Sequence, residues 1–187
     1  MDIPWGSDIA NRFITNVGLI TTHGIYGHNI MACEWTHHLS YKPALIGISV
    51  HPRHATHEHI KANKEFGVCI ASTHQSVLSS LAGKDSGKII DKIKIAKELG
   101  FKFSAAKNIH VMMIEGASVN LECKLHQEIP LSDHTLFIGE VIAGNFSPDE
   151  KPLAYHSGKY FEMTSTLEKP SAEMREKIKM LFEQYKK

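Results

Sequence analysis

The chain has 187 residues, of which 42% are hydrophobic and 22% charged, as expected for one globular domain with a single sizeable core. Twenty-one Lys and Arg against twenty Asp and Glu give a net charge of +1, which argues against a nucleic-acid or membrane partner. Three widely spaced cysteines and an N-terminus without an apolar h-region favour a cytoplasmic protein without a secretory signal. We expect one domain spanning residues 1–187.

Short apolar runs between turn residues predict strands along most of the chain. The four earlier runs are Phe13–Thr22, Tyr26–Trp35, Ala44–Val50 and Phe66–Ser72. From Ala117 to His126, odd positions are apolar and even positions polar, which predicts a strand with one face in the core and one in water. Leu131–Ala143 is its predicted partner strand.

Four helices are predicted among and after these strands. They span Thr56–Glu65, Gln75–Ala82, Ser86–Leu99 and about 170–186. The last helix has one apolar face, formed by Met174, Ile178, Leu181, Phe182 and Tyr185. This face must cover either the chain's own barrel or a second subunit. Strands and helices do not alternate regularly as in βαβ units. The pattern therefore predicts a mainly β, Greek-key-like barrel with helical insertions. Its core is expected at about 10–163, followed by a C-terminal helix.

The densest polar cluster follows the buried strand that ends at Val50 and leads into a helix. A strand-to-helix turn exposes backbone N–H groups at the positive end of the helix dipole, which suits an anion. Arg53 can donate two hydrogen bonds to a phosphate, and the hydroxyls of Ser49 and Thr56 can donate more. The alternative is a solvated loop in which Thr56 caps the helix.

The same cluster is rich in histidine, which raises the question of a metal site. It contains His51, His54, His57 and His59, and the chain has 13 histidines in all. His54 and His57 are three residues apart and could share a helical face. No cysteine or second cluster completes a ligand set, so solvated histidines are the favoured interpretation and no metal ligand is assigned.

A second candidate patch runs from Asn29 to Trp35. Small residues at Ala32 and Cys33 would let a planar ring lie against the strand backbone. The alternative is an ordinary strand with Met31 and Trp35 in the core. Cys33 has no evident neighbouring base that would make it a nucleophile.

Six motifs in order resemble the flavin reductase-like family of FMN-binding split barrels, over roughly residues 18–161. They are NIMACEW (29–35), ISVHPRHATHEHIKANKEFGVCIAS (48–72), GKDSGKIIDKI (83–93), IEGASVNLECKL (114–125), DHTLFIGEV (133–141) and YHSGKYF (155–161). The resemblance implies a homodimer with one FMN per subunit near the dimer interface. Members often carry hydroxyl residues where this chain has Ala32 and Cys33, at the reactive edge of the ring.

The resemblance also implies roles for individual residues. The strand containing Asn29, Met31, Ala32, Cys33 and Trp35 would lie along the flavin ring. The tail from Tyr155 to Tyr160 would pack near the pocket. The loop containing Ser49, Val50, His51, Arg53 and Thr56 would bind the ribityl phosphate. Lys92, otherwise a charge on a helix surface, would be a further phosphate or ribityl partner. His134, otherwise a residue of a surface turn, would lie near the flavin and the incoming substrate.

The expected activity is hydride transfer from NADH or NADPH to flavin and onward to a small-molecule redox substrate or a protein electron acceptor. In this scheme His134 positions the donor. Two alternatives are open. One is an FMN-containing, flavoredoxin-like electron carrier without direct NAD(P)H oxidation. The other is a histidine-rich metal-binding protein without flavin.

Overall fold

The computed structural model describes residues 1–186. Its strands are β1 (Thr15–Asn16), β2 (Gly18–Gly24), β3 (Gly27–Cys33), β4 (Thr36–Tyr41), β5 (Ala44–Val50), β6 (Glu65–Ile70), β7 (Phe103–Ala105), β8 (Met112–Ile114), β9 (Val119–Pro130), β10 (Thr135–Phe146), β11 (Ala154–His156) and β12 (Lys159–Phe161). The α-helices are α1 (Ala55–Asn63), α2 (Ser76–Gly83), α3 (Lys92–Glu98) and α4 (Ala172–Gln184). No helix within residues 1–186 is long and apolar enough to cross a membrane.

Seven antiparallel strands form the main sheet, in the order β3-β2-β6-β9-β10-β5-β4. The two edge strands, β3 and β4, are joined by only Glu34 and Trp35. Six strand spacings of roughly 4.8 Å would separate the edges of a flat sheet, far more than two residues can span. The sheet must therefore curl into a barrel, and Cys33 Sγ of β3 lies 3.5 Å from the Ser49 carbonyl of β5 where the ends meet.

Two apolar clusters form the core of the molecule. One packs Phe66, Phe137, Ile48 and their neighbours together with Ile60 of α1. The other includes Leu19, Ile30, Leu78 and Ile93, which brings α2 and α3 onto the β2–β3 part of the sheet. Since Leu19 and Ile20 belong to different clusters, β2 separates the two, as strand alternation requires.

The predicted strands and helices are present, with changes at their boundaries. The first predicted strand is interrupted at Val17, and the sequence does not predict β4, β7, β8, β11 or β12. The helix expected at Ser86–Leu99 begins only at Lys92, because Asp91 caps it by accepting a hydrogen bond from the Lys94 N–H (2.9 Å). Residues 86–91 form turns that precede it.

The predicted division of Ala117–His126 into a core face and a water face is wrong at two positions. Ser118, just before β9, donates its hydroxyl to the Ile70 carbonyl of β6 (3.0 Å), and Glu122 is covered by a second β layer. Ser118 and Glu122 are buried. Glu122 accepts hydrogen bonds from the N–H groups of Lys107 (3.0 Å) and Asn108 (2.7 Å), in the loop between β7 and β8. Asn120 bonds both backbone groups of Ile114 in β8. Only the later polar positions, Lys124 and His126, are exposed as expected.

The C-terminal helix packs little against the rest of its own chain. No residue of α4 is buried, and Leu181, Phe182 and Tyr185 are exposed. Of the two expected roles for its apolar face, covering the chain's own barrel is therefore excluded.

Candidate functional site

The loop between β5 and α1 presents a helix N-terminus near the end of the barrel strand β5. His54 is the N-cap residue of α1, and its side chain makes no capping hydrogen bond. Arg53 is exposed, and within residues 1–186 its guanidinium forms no salt bridge. The loop is stiffened from within, since the Arg53 N–H donates to His51 Nδ1 (3.1 Å) and the His54 N–H to the His51 carbonyl (3.1 Å). Uncapped N–H groups and an unpaired guanidinium suit an anion.

Three polar atoms just beneath this loop are buried without a hydrogen-bond partner among the described residues. They are Ser49 Oγ, His54 Nδ1 and Asn29 Oδ1. Burial, followed by the charge of Arg53, lowers the pKa of His54 to about 4, so its ring is uncharged near neutral pH. Buried polar atoms are nearly always hydrogen-bonded in native proteins, so three unpaired ones around one helix end are characteristic of a binding site.

Two of the predicted loop residues have their side chains turned inward. Thr56 is fully buried, and its hydroxyl accepts a hydrogen bond from Asn29 Nδ2 (3.0 Å) instead of facing a ligand from the surface. The Val50 side chain lies in the core, and its backbone pairs with Thr135 of β10. Thr56 therefore fixes Asn29, which joins the loop to strand β3.

A cavity of about 530 Å³ lies beside the end of β3. Ala32 and Cys33 line it from the strand, and Tyr155 and Tyr160 line it from the β11–β12 hairpin. Cys33 also lies against the end of β5, where the β5–α1 loop begins, with its Sγ 3.5 Å from the Ser49 carbonyl. Cys33 thus connects the cavity to the loop, and the volume is in the range of small-molecule sites.

Cys33 has no features of a nucleophile. Burial raises the pKa of the Cys33 thiol, so the thiolate form is disfavoured near neutral pH. Among residues 1–186, all three cysteines are buried and free of disulfides. Met31, by contrast, packs in the core and offers only its backbone to the strand surface.

His134 belongs to an aromatic group that it forms with Trp35 and His51. Its ring lies 4.8 Å from Trp35 and 5.4 Å from His51, measured between ring centroids. Its Nδ1 is 2.8 Å from Asp133 Oδ1, which fixes the orientation of the imidazole. Trp35, predicted as either a ring contact or a core residue, is 54% exposed and so is not a core residue.

Lys92 is buried and is not a solvated charge on a helix surface. Its Nζ donates to the carbonyls of Ala82 (2.8 Å) and Asp85 (3.4 Å). Burial lowers the pKa of Lys92 to about 8. The ammonium holds the segment that follows α2, in which Gly87 packs so closely on Asn29 that a Cβ atom would overlap Asn29 Oδ1. Lys92 therefore acts on the site indirectly, by holding the segment that packs against Asn29.

The four histidines of the loop and α1 are not solvated as a group, and they do not converge on a metal position. His57 and His59 are buried, and they hydrogen-bond the hydroxyls of Thr135 and Thr22 respectively, both at 3.0 Å. Burial lowers the pKa values of both rings. Over residues 1–186, ring nitrogens close enough to share a metal ion are found in a different set of histidines.

Several residues around the cavity were not identified from the sequence. They are Trp5, Asn16, Val17, Glu34, Ser79, Ser80, Gly83 and Lys84. The run of small residues at the end of α2 was the available signal, because small side chains leave room beside a neighbouring strand. The ion pair between Lys88 and Glu58, which ties the segment before α3 to α1, has no such signal.

The sequence matches the family described as "Flavin reductase like domain" over residues 10–164. It is 30% identical over 131 residues to an uncharacterised protein of Pyrococcus abyssi (strain GE5 / Orsay), covering 70% of this chain and 71% of that protein. It is 26% identical over 159 residues to the NADH-dependent FAD reductase of Streptomyces globisporus, covering 81% of each.

The fold is similar to that of a solved flavoredoxin from Desulfovibrio vulgaris (Miyazaki F). The TM-score is 0.74 at 22% sequence identity, covering 92% of this chain and 98% of the flavoredoxin. At that identity the similarity establishes the shared architecture.

Proposed function

Because this chain belongs to the flavin reductase-like family, we propose that it is a flavin oxidoreductase that binds FMN and takes its electrons from NADH or NADPH. The observation that carries the proposal is the juxtaposition described above. An uncapped helix N-terminus with an unpaired arginine lies beside a strand that borders a cavity of about 530 Å³. A flavin mononucleotide combines an anionic phosphate with a planar ring, so its two ends match the two parts of this site.

The β5–α1 loop fits the phosphate end. Arg53 supplies a positive charge and a two-pronged donor, and the N–H groups at the start of α1 supply further donors. Ser49 Oγ and His54 Nδ1 are buried and unpaired, so they can bond a ligand at no loss of existing protein bonds. His54 is uncharged, so the main cationic side chain of the loop is Arg53.

The end of β3 fits the ring. Ala32 has a small side chain and Cys33 a buried one, which leaves the strand backbone open to a flat group. Tyr155 and Tyr160 face the strand across the cavity, with their ring centroids 5.5 Å apart, and provide aromatic surface for stacking. The predicted roles of Asn29, Met31 and Trp35 along the ring are part of this proposal.

The chemistry supplied by bound flavin is acceptance of a hydride from the reduced nicotinamide and release of the electrons to an acceptor. The protein's part is to hold the donor against the ring and to exclude water. We assign the positioning of the donor to His134, whose imidazole is fixed by Asp133 and by contact with Trp35. No side chain is required to transfer a proton in the hydride step itself.

We further propose that the protein is a homodimer held partly by α4. The apolar face of this helix is exposed in the single chain, with Phe182 73% and Tyr185 72% exposed. A second copy of the chain would bury it. Light scattering after gel filtration tests this. The full chain should be dimeric, and the dissociation constant of the dimer should be higher for a chain ending at Met163. A monomeric full chain would refute it.

A flavoredoxin-like carrier is the second candidate function, favoured by the structural similarity to flavoredoxin. A visible spectrum of the purified protein, followed by anaerobic addition of NADH and then NADPH, separates the two. Bleaching of a flavin spectrum by either nicotinamide supports the reductase and identifies its donor. A spectrum that persists until dithionite is added supports the carrier. A colourless protein that also fails to take up FMN refutes both.

A further inference from the structure

Three histidines converge on the face of the sheet opposite to the proposed phosphate site. His23 in β2 and His28 in β3 are directly opposed across the antiparallel ladder. His110 approaches them from the loop between β7 and β8. Neighbouring residues of a strand point to opposite faces, and Asn29, next to His28, points to Thr56 at the start of α1. The cluster therefore faces away from the β5–α1 loop.

The three imidazole rings are within reach of a single ion. Ring centroids are 4.5 Å apart for His23 with His28 and for His23 with His110, and 5.6 Å apart for His28 with His110. One nitrogen from each ring lies within 4.8 Å of the other two. Ligand nitrogens of a tetrahedral zinc site, at 2.0–2.1 Å from the metal, are about 3.3 Å apart. Small rotations of the rings would close the difference.

Two further observations indicate a site that is built to bind. The Nδ1 atom of His28 is buried and has no hydrogen-bond partner among the described residues, which is costly unless a ligand satisfies it. The backbones of the other two ligands are anchored by side chains. The His110 N–H donates to Glu65 Oε1 (2.7 Å), and the His23 carbonyl accepts from Asn63 Nδ2 (2.7 Å).

We propose that His23, His28 and His110 bind a divalent transition-metal ion, with Zn²⁺ as the best-matched ion. Three imidazole nitrogens without thiolate or carboxylate are borderline ligands, which suit Zn²⁺, Co²⁺, Ni²⁺ and Cu²⁺ and disfavour Mg²⁺ and Ca²⁺. Glu65 is already used by the His110 N–H and by Lys124, so water completes the coordination. The positive charge of Lys97 near His28 weakens binding of a cation, and the negative charge of Glu65 near His110 strengthens it.

A bound ion would join parts of the chain that are distant in sequence. His23 and His28 lie in one hairpin, whereas His110 belongs to the β7–β8 layer. A ligand that binds only the folded state raises its stability in proportion to how far its concentration exceeds the dissociation constant. The site would therefore act structurally, holding the β7–β8 layer against the barrel.

The test uses untagged full-length protein, stripped with a chelator and titrated with ZnCl₂ by calorimetry. The key variant is His110→Ala, since the His110 side chain is exposed and its loss should not disturb folding. His28→Ala removes the half-buried ligand. His126→Ala, an exposed histidine on β9, is the matched control. Circular dichroism and the melting temperature without metal establish that each variant is folded.

We expect one Zn²⁺ per chain, at least tenfold weaker binding in His110→Ala, and unchanged binding in His126→Ala. Zn²⁺ should raise the melting temperature of the unmodified protein and of His126→Ala, but much less that of His110→Ala. Co²⁺ should give the visible absorption of a four-coordinate site. The proposal fails if no binding is detected, or if His110→Ala binds as tightly as the unmodified protein. The second result would mean that Zn²⁺ binds to other histidines and that the three rings merely stack.

Discussion

The β5–α1 loop allows a quantitative prediction for Arg53→Ala. A hydrogen bond to a charged group contributes about 1.5–3 kcal/mol. Arg53 is exposed, so water and salt screen its interaction, and we expect the lower end of this range. A loss of about 1.5 kcal/mol corresponds to a roughly tenfold higher Kd for FMN. Because Arg53 makes no salt bridge among residues 1–186, the free energy of unfolding should change little.

The assay compares two ligands that differ only in the phosphate. FMN and riboflavin are each titrated with stripped protein while quenching of flavin fluorescence is followed. If Arg53 binds the phosphate, Arg53→Ala should weaken FMN and leave the Kd of riboflavin unchanged. Lys61→Ala is the control, because it removes the same charge from α1 at the end far from the loop. It should alter neither Kd by more than about twofold.

Two outcomes would refute this assignment. If Arg53→Ala leaves the FMN Kd unchanged, the guanidinium does not contact the phosphate. If it weakens FMN and riboflavin equally, Arg53 acts on the ring or on the fold of the loop. Raising the ionic strength should reduce the FMN difference between the unmodified protein and Arg53→Ala, since the contact is exposed.

Three further predictions concern donor binding and stability. His134→Ala should raise the KM for the nicotinamide about five- to tenfold with little change in the FMN Kd, and unaltered donor kinetics would remove His134 from the site. The pKa of Lys92 is lowered from 10.5 to about 8. Between these two pH values the lysine is protonated in the unfolded chain but largely neutral in the folded protein, so the stability of the fold rises with pH. Relative to Lys92→Met, the free energy of unfolding should therefore increase by about 2 kcal/mol between about pH 7 and 9.5, and parallel pH profiles would contradict this. Glu122→Gln should destabilise by about 1.5–3 kcal/mol in urea unfolding, because one of two buried hydrogen bonds to the carboxylate is lost. Glu140→Gln on the exposed face of the neighbouring strand should change stability by less than about 0.5 kcal/mol, and equal effects would place Glu122 in water.

The family and the mainly β fold predicted from the sequence are confirmed. Long strands were predictable because their apolar pattern is local, as in Ala44–Val50, whose predicted bounds equal those of β5. The segment Thr36–Tyr41 was missed because most of β4 is exposed, so it has polar residues where a buried strand would be apolar. Its identity as a strand depends on pairing with β5, the next strand in the chain, which the pattern of its own residues does not show.

The candidate site was predictable in outline and not in detail. The order of six motifs identified the β3 and β5–α1 segments, but no local signal indicated which side chains face outward. Lys92 illustrates the limit. Lysine near the start of a helix is usually solvated, and its burial here depends on carbonyls that the end of α2 leaves unpaired. Likewise, His57 and His59 are buried because threonines on distant strands satisfy their ring nitrogens.

The β7–β8 layer connects the error in β9 to the proposed metal site. The loop between β7 and β8 has backbone N–H groups without a partner in a neighbouring strand. Carboxylates on two neighbouring barrel strands accept hydrogen bonds from these groups. Glu122 bonds the N–H groups of Lys107 and Asn108, while Glu65 bonds that of His110. The alternating pattern of β9 predicts that Glu122 faces water, whereas its carboxylate faces a loop whose N–H groups need hydrogen-bond acceptors. The same bonds fix the backbone that carries His110, so the position of this ligand depends on polar residues whose role only the tertiary structure reveals.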